Sequence, residues 1–179
     1  MEATDIKEIK LPELEKAVKE AWDEGKVAFL FDQTGNASVF FRYKAKLIEC
    51  ARSVVQVAMG AAQPDDVVEE WRRSYVYAMK SGDTCVFHMD KVAPDFLHKY
   101  KGTMFPVPAI FDKAEITKKP VYKSMLKSAE DVDNFGNRGW FEMDEKFQVA
   151  LLSSLTPEEL DDYKDRVPLE KCSLIKIVE

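Results

Sequence analysis

The chain has 179 residues, of which 46% are hydrophobic, and it suits one compact domain with a substantial apolar core. Its formal net charge is −6, and acidic and basic side chains are scattered along the whole length. This pattern argues against a nucleic-acid binder, and the longest apolar runs fall far short of the roughly 20 residues that span a bilayer. Residues Met1 to Asp5 carry no signal-peptide pattern, so we expect a protein that is not secreted by this route.

Few cysteines and histidines are available for chemistry. Cys50, Cys85 and Cys172 lack a C-x-x-C pair and each lies in or beside an apolar run, where cysteine usually behaves as a small buried hydrophobe. A reducing compartment is therefore expected. His88 and His98 have no spaced cysteines or acids that would complete a zinc site, so no metal site is expected.

Residues 1–25 are predicted to contain an opening amphipathic helix. Apolar residues recur at helical spacing from Leu14 to Trp22, Pro12 is tolerated in the first turn, and Gly25 supplies a stop signal.

The next segment resembles a P-loop that has lost its working parts. Val27 to Phe31 is a continuous apolar run, which predicts a strand covered on both faces. Asp32 to Asn36 then stands where a phosphate-cradling loop would lie. A working loop reads G-x-x-x-x-G-K-[ST], because glycine amides wrap the phosphates, lysine reaches their oxygens and the hydroxyl holds magnesium. Only Gly35 remains here, and Lys44 lies two turns into the predicted helix.

Two interpretations of this turn stay open. Helix amides alone can bind an anion, which makes Thr34, Gly35 and Asn36 candidate nucleotide-binding residues. Alternatively, these residues form a simple tight turn, after which Val39 to Phe41 pairs back as a hairpin strand. A lone glycine favours the simple turn.

Helical spacing continues after the turn. Apolar residues recur every three to four positions from Val39 to Cys50, as in a helix that packs on a sheet. The β-branched run Val54 to Val57 favours a strand, although the same residues could extend one long helix to Met59.

Pro64 opens the next predicted helix, with proline and two carboxylates in its first turn, and Ser81 to Asp83 ends it. Thr84 to Met89 is a second strong strand, and Ala93 to Phe96 is predicted to begin a short helix.

Asp90 ends the second strand, where an NTPase often places an aspartate that supports magnesium. Lys91 occupies the position of the glutamate that activates water in ATPases. An aspartate at a strand end is also an ordinary turn former. Hydrolysis by this pair is therefore not expected.

Residues 102–139 are interrupted by prolines and glycines, which predicts an irregular surface excursion with short helices. Aromatic and methionine side chains crowd this region: Tyr100, Met104, Phe105, Phe111, Tyr122, Phe135, Trp140 and Phe141. They could anchor a protein partner or cover the edge of the sheet as a satellite core.

Strand and helix signals alternate again in the C-terminal part of the chain. Trp140 to Met143 and Phe147 to Leu152 predict a hairpin, and Thr156 to Glu159 has the signature of a capped helix that ends before Pro168. Ser173 to Val178 predicts a closing strand. Alternating strands and helices imply an α/β domain with a mainly parallel sheet flanked by helices.

Ser153 and Ser154 end one of the predicted strands. Side chains at the carboxyl edge of a parallel sheet often face a ligand, although these two could equally cap the turn into Thr156.

The order of these fragments resembles the degenerate AAA+ module that is fifth in the motor ring of dynein heavy chains. The similar segments include a strand ending in aspartate with a glutamine- and glycine-containing turn, a helix and strand followed by a short acidic-apolar helix, and the C-terminal succession. In this chain they are Phe29 to Phe41, Tyr75 to Leu97, and Asn137 to Val178.

The resemblance implies a single P-loop NTPase or AAA+-like domain over residues 1–179, with a degenerate phosphate loop. It implies a non-catalytic subunit that needs no cofactor, binds protein partners, and belongs to a cytoplasmic, cytoskeletal or ciliary assembly. The chain departs from the family by standing without the other ring modules. The alternative is a divergent NTPase or kinase that uses Asp32, Asp90 and the amides around Gly35.

Overall fold

A six-stranded sheet forms the centre of the structure, and every strand runs parallel to its neighbours. The computed structural model describes residues 6–179. Along the sheet the strands follow the order β1, β6, β2, β5, β4, β3. Their bounds are β1 (Lys7–Lys10), β2 (Val27–Phe31), β3 (Lys46–Glu49), β4 (Thr84–Asp90), β5 (Gln148–Ser153) and β6 (Cys172–Val178). The predicted α/β class with a mainly parallel sheet is confirmed, and this architecture is compatible with a P-loop-like fold.

Helices flank the sheet on both faces. The α-helices are α1 (Leu14–Asp23), α2 (Asn36–Lys44), α3 (Cys50–Ala58), α4 (Pro64–Ser81), α5 (Lys113–Ile116) and α6 (Lys119–Ser124). Shorter 3-10 helices cover Leu11–Glu13, Ala109–Phe111, Pro157–Tyr163 and Leu169–Lys171. Across the part of the chain that the structure describes, no helix is both long and apolar enough to cross a membrane.

β2 is apolar at every position because helices cover both faces of the sheet at this strand. Phe29 and Phe31 pack on the face covered by α3 and α4, whereas Ala28 and Leu30 pack on the face covered by α1 and α2. All five residues of the strand are buried. A strand covered on both sides has no solvent-facing positions, so its periodicity of two disappears from the sequence.

Residues 105–125 of the predicted surface excursion supply side chains to the main core, which corrects that part of the prediction. Residues 127–139 lie at the surface, and the predicted short helices are present as α5 and α6. Phe105, Phe111 and Tyr122 are buried, and the ring centroids of Phe87 and Phe111 lie 5.3 Å apart. Phe141 is also buried. These side chains cover the α4 face of the sheet, so most of the predicted aromatic cluster has a packing role.

Three features near the first helices differ from the predictions. Val54 to Val57 lies inside α3, so the strand favoured there is wrong. The helix predicted from Val39 to Cys50 ends at Lys44, and β3 follows it. In α3, Val54 and Val57 both face the core while Val55 is exposed, which is helical spacing rather than strand alternation. Val39 to Phe41 lies in α2, so the hairpin alternative at the turn is wrong.

The predicted hairpin between residues 140 and 152 is also wrong. Residues 140–143 form no strand, and β5 pairs in parallel with β2 and β4 instead. The Asp144 backbone N–H donates to the Met79 carbonyl (2.8 Å), and the Phe147 N–H donates to the Asp144 carbonyl (3.1 Å). These bonds turn the chain at the end of α4, and β5 starts only after that turn.

Three shorter corrections concern the N-terminal segment and two predicted helices. The helix of the N-terminal segment begins at Leu14 and follows strand β1, which was not predicted. Met1 to Asp5, where no signal peptide was expected, lie outside the described residues. Residues 93–96 form no helix, and Pro157–Tyr163 is a 3-10 helix, although its capping box is present.

Candidate functional site

The ends of β2, β5 and β4 meet at the carboxyl edge of the sheet. The Asp32 N–H donates to the Ser153 carbonyl (2.9 Å), and the Ser154 N–H donates to the Asp90 carbonyl (2.9 Å). The chain leaves β2 toward one face through α2 and leaves β5 toward the other through the 3-10 helix Pro157–Tyr163. Adjacent strands whose connections diverge in this way form the crevice in which open α/β sheets bind ligands.

Asp32 fills the part of this crevice nearest to α2. Its carboxylate is buried, and Oδ1 accepts hydrogen bonds from the Thr34 backbone N–H (2.9 Å) and hydroxyl (2.7 Å). Oδ2 accepts from the Ala37 N–H (2.7 Å), and the Thr34 hydroxyl oxygen accepts from the Asn36 N–H (3.1 Å). The first amides of α2 are therefore already engaged by side chains of the chain itself.

Thr34, Gly35 and Asn36 form a tight turn in the structure. Only four residues separate the end of β2 from the start of α2, and Gly35 adopts φ +78°, which a side chain would strain. A phosphate-cradling loop needs a longer glycine-rich segment before its helix. Lys44 ends the nine-residue α2, roughly 12 Å along the axis from its first residue. It cannot replace the missing lysine.

The β5 side of the crevice is closed by Tyr163. Its hydroxyl lies 2.6 Å from the hydroxyl of Ser153, which also accepts a hydrogen bond from the Leu155 N–H (2.9 Å). The Tyr163 ring packs edge-on against Phe29, with centroids 4.9 Å apart. Burial raises the pKa of Tyr163 to about 12. Ser153 is thus held inside the protein, whereas Ser154 is only half-buried.

Asp90 lies at the end of β4 in a bulged, left-handed turn. Its φ is +52°, and the pairing register with β5 shifts between His88 and Asp90. Asp90 is half-buried and Lys91 is exposed. The arrangement is that of a strand end forming a turn, with a lysine following the aspartate.

The histidine and cysteine side chains are either paired with carboxylates or buried. Within residues 6–179, no group of three or more histidine, cysteine or acidic side chains is arranged to hold a metal ion. His88 pairs with Glu49 (2.8 Å) and His98 with Asp95 (2.9 Å). The three cysteines are free and buried, and desolvation raises the pKa of each thiol.

A second candidate site is formed by residues 131–141, which we call the aromatic loop. Two of its aromatic side chains point into solvent: Phe135 is 91% exposed and Trp140 is 66% exposed. Together with Lys80 and Glu142 they line a surface depression of about 400 Å³. The concentration of aromatics in the sequence indicated this region, but only the structure separates the exposed side chains from the buried ones.

Internal hydrogen bonds hold the aromatic loop in shape. Asp133 Oδ1 accepts from the backbone N–H groups of Phe135 (2.8 Å) and Asn137 (2.8 Å). Lys123 of α6 binds the Asp131 carboxylate (2.6 Å) and the Gly139 carbonyl (2.8 Å). The exposed aromatic rings are therefore carried on an ordered loop.

Comparison with known proteins adds no family to this description. Searches of protein-family models, curated proteins and solved structures found no match for this chain. The likeness to the dynein module stays a prediction from the sequence, and the geometry of the crevice and of the aromatic loop carries the functional argument.

Proposed function

We propose that this protein is a non-catalytic, AAA+-like structural and interaction subunit of a larger assembly. The observation that carries this proposal is the hydrogen bonding of the buried Asp32 carboxylate to the turn and to the first amides of α2. A phosphate placed there would compete with a carboxylate for the same donors and would meet its negative charge. The crevice is therefore used to hold strand and helix together.

The aromatic loop supplies the interaction surface in this proposal. Tryptophan and other large aromatic side chains dominate the binding energy of many protein interfaces. Rings on a pre-ordered loop lose little conformational entropy on binding, which favours affinity. Phe135 and Trp140 meet both conditions, because they are exposed and their loop is cross-linked by hydrogen bonds.

Kinship with the degenerate dynein module, and a place in a cytoskeletal or ciliary assembly, form the finer part of the proposal. Their support is the order of sequence segments from Phe29 to Val178 and an all-parallel sheet that is compatible with a P-loop-like fold. The competing function is a divergent NTPase or kinase that works through Asp32, Asp90 and the amides around Gly35.

Nucleotide binding separates the two functions. Thermal unfolding and calorimetry are measured with Mg-ATP and Mg-GTP, where a ligand at 100 times its Kd would stabilise the fold by roughly 2.7 kcal/mol. We expect no stabilisation and no binding heat. Nucleotide-dependent stabilisation, or ATP turnover that Asp90→Asn abolishes, would support the enzyme instead.

The interaction role is tested on the full chain isolated from its native cells. We expect the protein to elute in a stoichiometric assembly, and Phe135→Ala with Trp140→Ala to release it as a monomer. Tyr43→Ala with Met59→Ala is the matched control, because those side chains are 85% and 77% exposed but lie on α2 and beside α3. A wild-type protein that elutes alone would contradict the proposal.

A further inference from the structure

A second surface, remote in sequence from the aromatic loop, combines an apolar floor with an acidic rim. We call it the C-terminal groove, and its volume is about 410 Å³. An engineered cavity of about 150 Å³ holds one benzene molecule, so this groove can take more than one apolar side chain. Its floor is formed by Leu97, Leu160, Val167, Leu169 and Leu174.

The rim of the groove carries unbalanced negative charge. Asp161, Asp165 and Glu170 lie on it together with one cation, Lys164. None of the three carboxylates forms a salt bridge within the residues that the structure describes. Three acids around an apolar floor are complementary to a cationic and apolar ligand.

Acidic residues also predominate in the sequence around the rim, and a further cation at the rim, Lys26, donates from Nζ to the Glu170 carbonyl (2.6 Å). Residues 157–170 contain six acidic and two basic side chains. Of the two basic residues, Arg166 donates from Nη1 to the Ala93 carbonyl (3.1 Å). This local excess of carboxylates disfavours nucleic acid and anionic lipid as occupants of the groove.

The backbone around the groove decides how a ligand can bind. Leu174 belongs to β6, and β6 is paired on both sides, with β2 and with β1. β1 pairs with residues 175–178 only, so among the described residues the edge of β6 on that side is uncovered over no more than residues 172–174, which is short for an added strand. Recognition therefore relies on side chains, as when the apolar face of an amphipathic helix enters a groove.

We infer that the C-terminal groove binds a basic amphipathic helix of a partner protein. Apolar side chains at helical spacing insert between Leu160 and Leu174, and lysine or arginine side chains flanking that stripe contact Asp161 and Glu170. This inference rests on the proposed function only in that the protein acts by binding other proteins, and it uses a different surface from Phe135 and Trp140.

The test uses two labelled peptides of about 18 residues, or five helical turns, with identical leucines at helical spacing. One peptide carries lysine on the flanks of the leucine stripe and the other carries glutamate. Fluorescence anisotropy with the full chain at physiological ionic strength is expected to give a Kd at least tenfold lower for the basic peptide. Leu160→Gln is expected to weaken that binding at least tenfold.

Charge reversal at the rim provides the decisive comparison. Asp161→Lys with Glu170→Lys should invert the preference, so that the acidic peptide binds more tightly. Asp165 is left unchanged because its φ of +60° would strain a lysine. Asp65→Lys with Asp66→Lys changes the net charge equally at the start of α4 and should leave the preference intact, which excludes an effect of net charge alone.

Three results would overturn the inference. They are equal binding of both peptides to the wild-type chain, an unchanged preference after rim reversal, and a concentration-dependent dimer that rim reversal dissociates, which would assign the groove to a second copy. Phe135→Ala with Trp140→Ala is measured alongside and should not alter peptide binding. Loss of the native assembly in that variant with intact peptide binding supports both proposals. An assembly that survives in that variant would overturn the role of the aromatic loop alone, whereas a wild-type chain that assembles but binds both peptides equally would overturn the groove alone.

Discussion

Arg72 of α4 and Glu130 form a two-pronged ion pair across 58 positions of sequence, with N–O distances of 2.7 and 2.9 Å. The Arg72 side chain is only 1% exposed and also donates to the Met125 carbonyl (2.6 Å) and to Glu69. These bonds fasten the end of α6 and the residues that follow it to α4. The aromatic loop begins directly after Glu130, so its position depends on this anchor.

Arg72→Met should destabilise the fold by about 3 kcal/mol, because Glu130 loses its cationic partner and Glu69 keeps only Lys127 and Arg73. The value is at the low end for buried pairs, since Glu69 and Glu130 are 31% and 25% exposed. Urea unfolding at pH 7 measures the change. Arg73→Met is the control: Arg73 is 66% exposed and 3.6 Å from Glu69, so its loss should cost less than about 1 kcal/mol. Equal effects of the two substitutions would refute the anchoring role.

The same network predicts a loss of stability in acid. Hydrogen bonds from Arg72 lower the pKa of Glu69 from 4.5 to about 2. Burial raises the pKa of Glu130, but the hydrogen bonds from Arg72 and from the Lys127 N–H, together with the charge of Arg72, outweigh burial, and the pKa is lowered overall. A carboxylate with a depressed pKa in the folded state stabilises the fold above its unfolded value, and this contribution disappears as pH falls from about 4.5 toward 2.

Urea midpoints measured between pH 7 and pH 2 should therefore fall less steeply in Arg72→Met than in the wild type. Arg73→Met should follow the wild-type curve. Parallel wild-type and Arg72→Met curves would show that the network does not set the acid sensitivity.

Gly82 combines a left-handed turn with close packing. It follows α4 with φ +74°, and a Cβ at this position would lie 2.5 Å from Oδ1 of Asp144. Gly25 has φ +78° after α1, but a Cβ there meets nothing within 4 Å. Gly25→Ala should cost about 1 kcal/mol from backbone strain, and Gly82→Ala about 2 kcal/mol, because the Asp144 side chain must also turn away and release the Lys146 N–H that donates to its Oδ1. Thermal unfolding of both variants, and of Asp144→Ala with and without Gly82→Ala, measures the two effects separately. Without the Asp144 carboxylate, Gly82→Ala should cost only about as much as Gly25→Ala.

The raised pKa of the buried Tyr163 hydroxyl predicts that the fold loses stability at alkaline pH. Burial raises its pKa to about 12 from 10, so its contribution is complete below pH 10 and is lost as pH rises toward 12. Tyr163→Phe removes the hydroxyl that meets Ser153 and should cost about 1 kcal/mol at pH 7. It should also flatten the alkaline part of the stability curve. Tyr77→Phe, at an exposed position of α4, should change neither quantity. The buried thiols and Tyr75 also have raised pKa values and keep part of the alkaline loss in this variant. An alkaline loss as large in Tyr163→Phe as in the wild type would contradict this assignment.

Strong local signals predicted several elements correctly. β2 and β4 are runs of apolar and β-branched residues, α4 starts at a proline and is followed by a glycine, and the capping box from Thr156 to Glu159 is present. Each of these signals lies within a few neighbouring residues. The sequence alone therefore determined the α/β class, the central strands and the absence of the glycine-lysine pair that grips phosphate.

Other features depend on residues far apart in the chain. β1 buries only Ile9 and exists because it pairs with β6, where Ile9 lies opposite Ile177. Tertiary packing likewise determines that Phe141 is buried in the core whereas Phe135 is exposed.

Only the tertiary structure decided the state of the candidate crevice. Asp32 is bonded to the start of α2, and Ser153 is bonded to Tyr163. Such hydrogen bonds follow from the exact approach of strand ends and helix termini, which the pairing of the whole sheet sets and no local pattern encodes. For the same reason, the acidic rim of the C-terminal groove is visible in the sequence, whereas its apolar floor, which joins Leu97 to Leu174, is visible only in the fold.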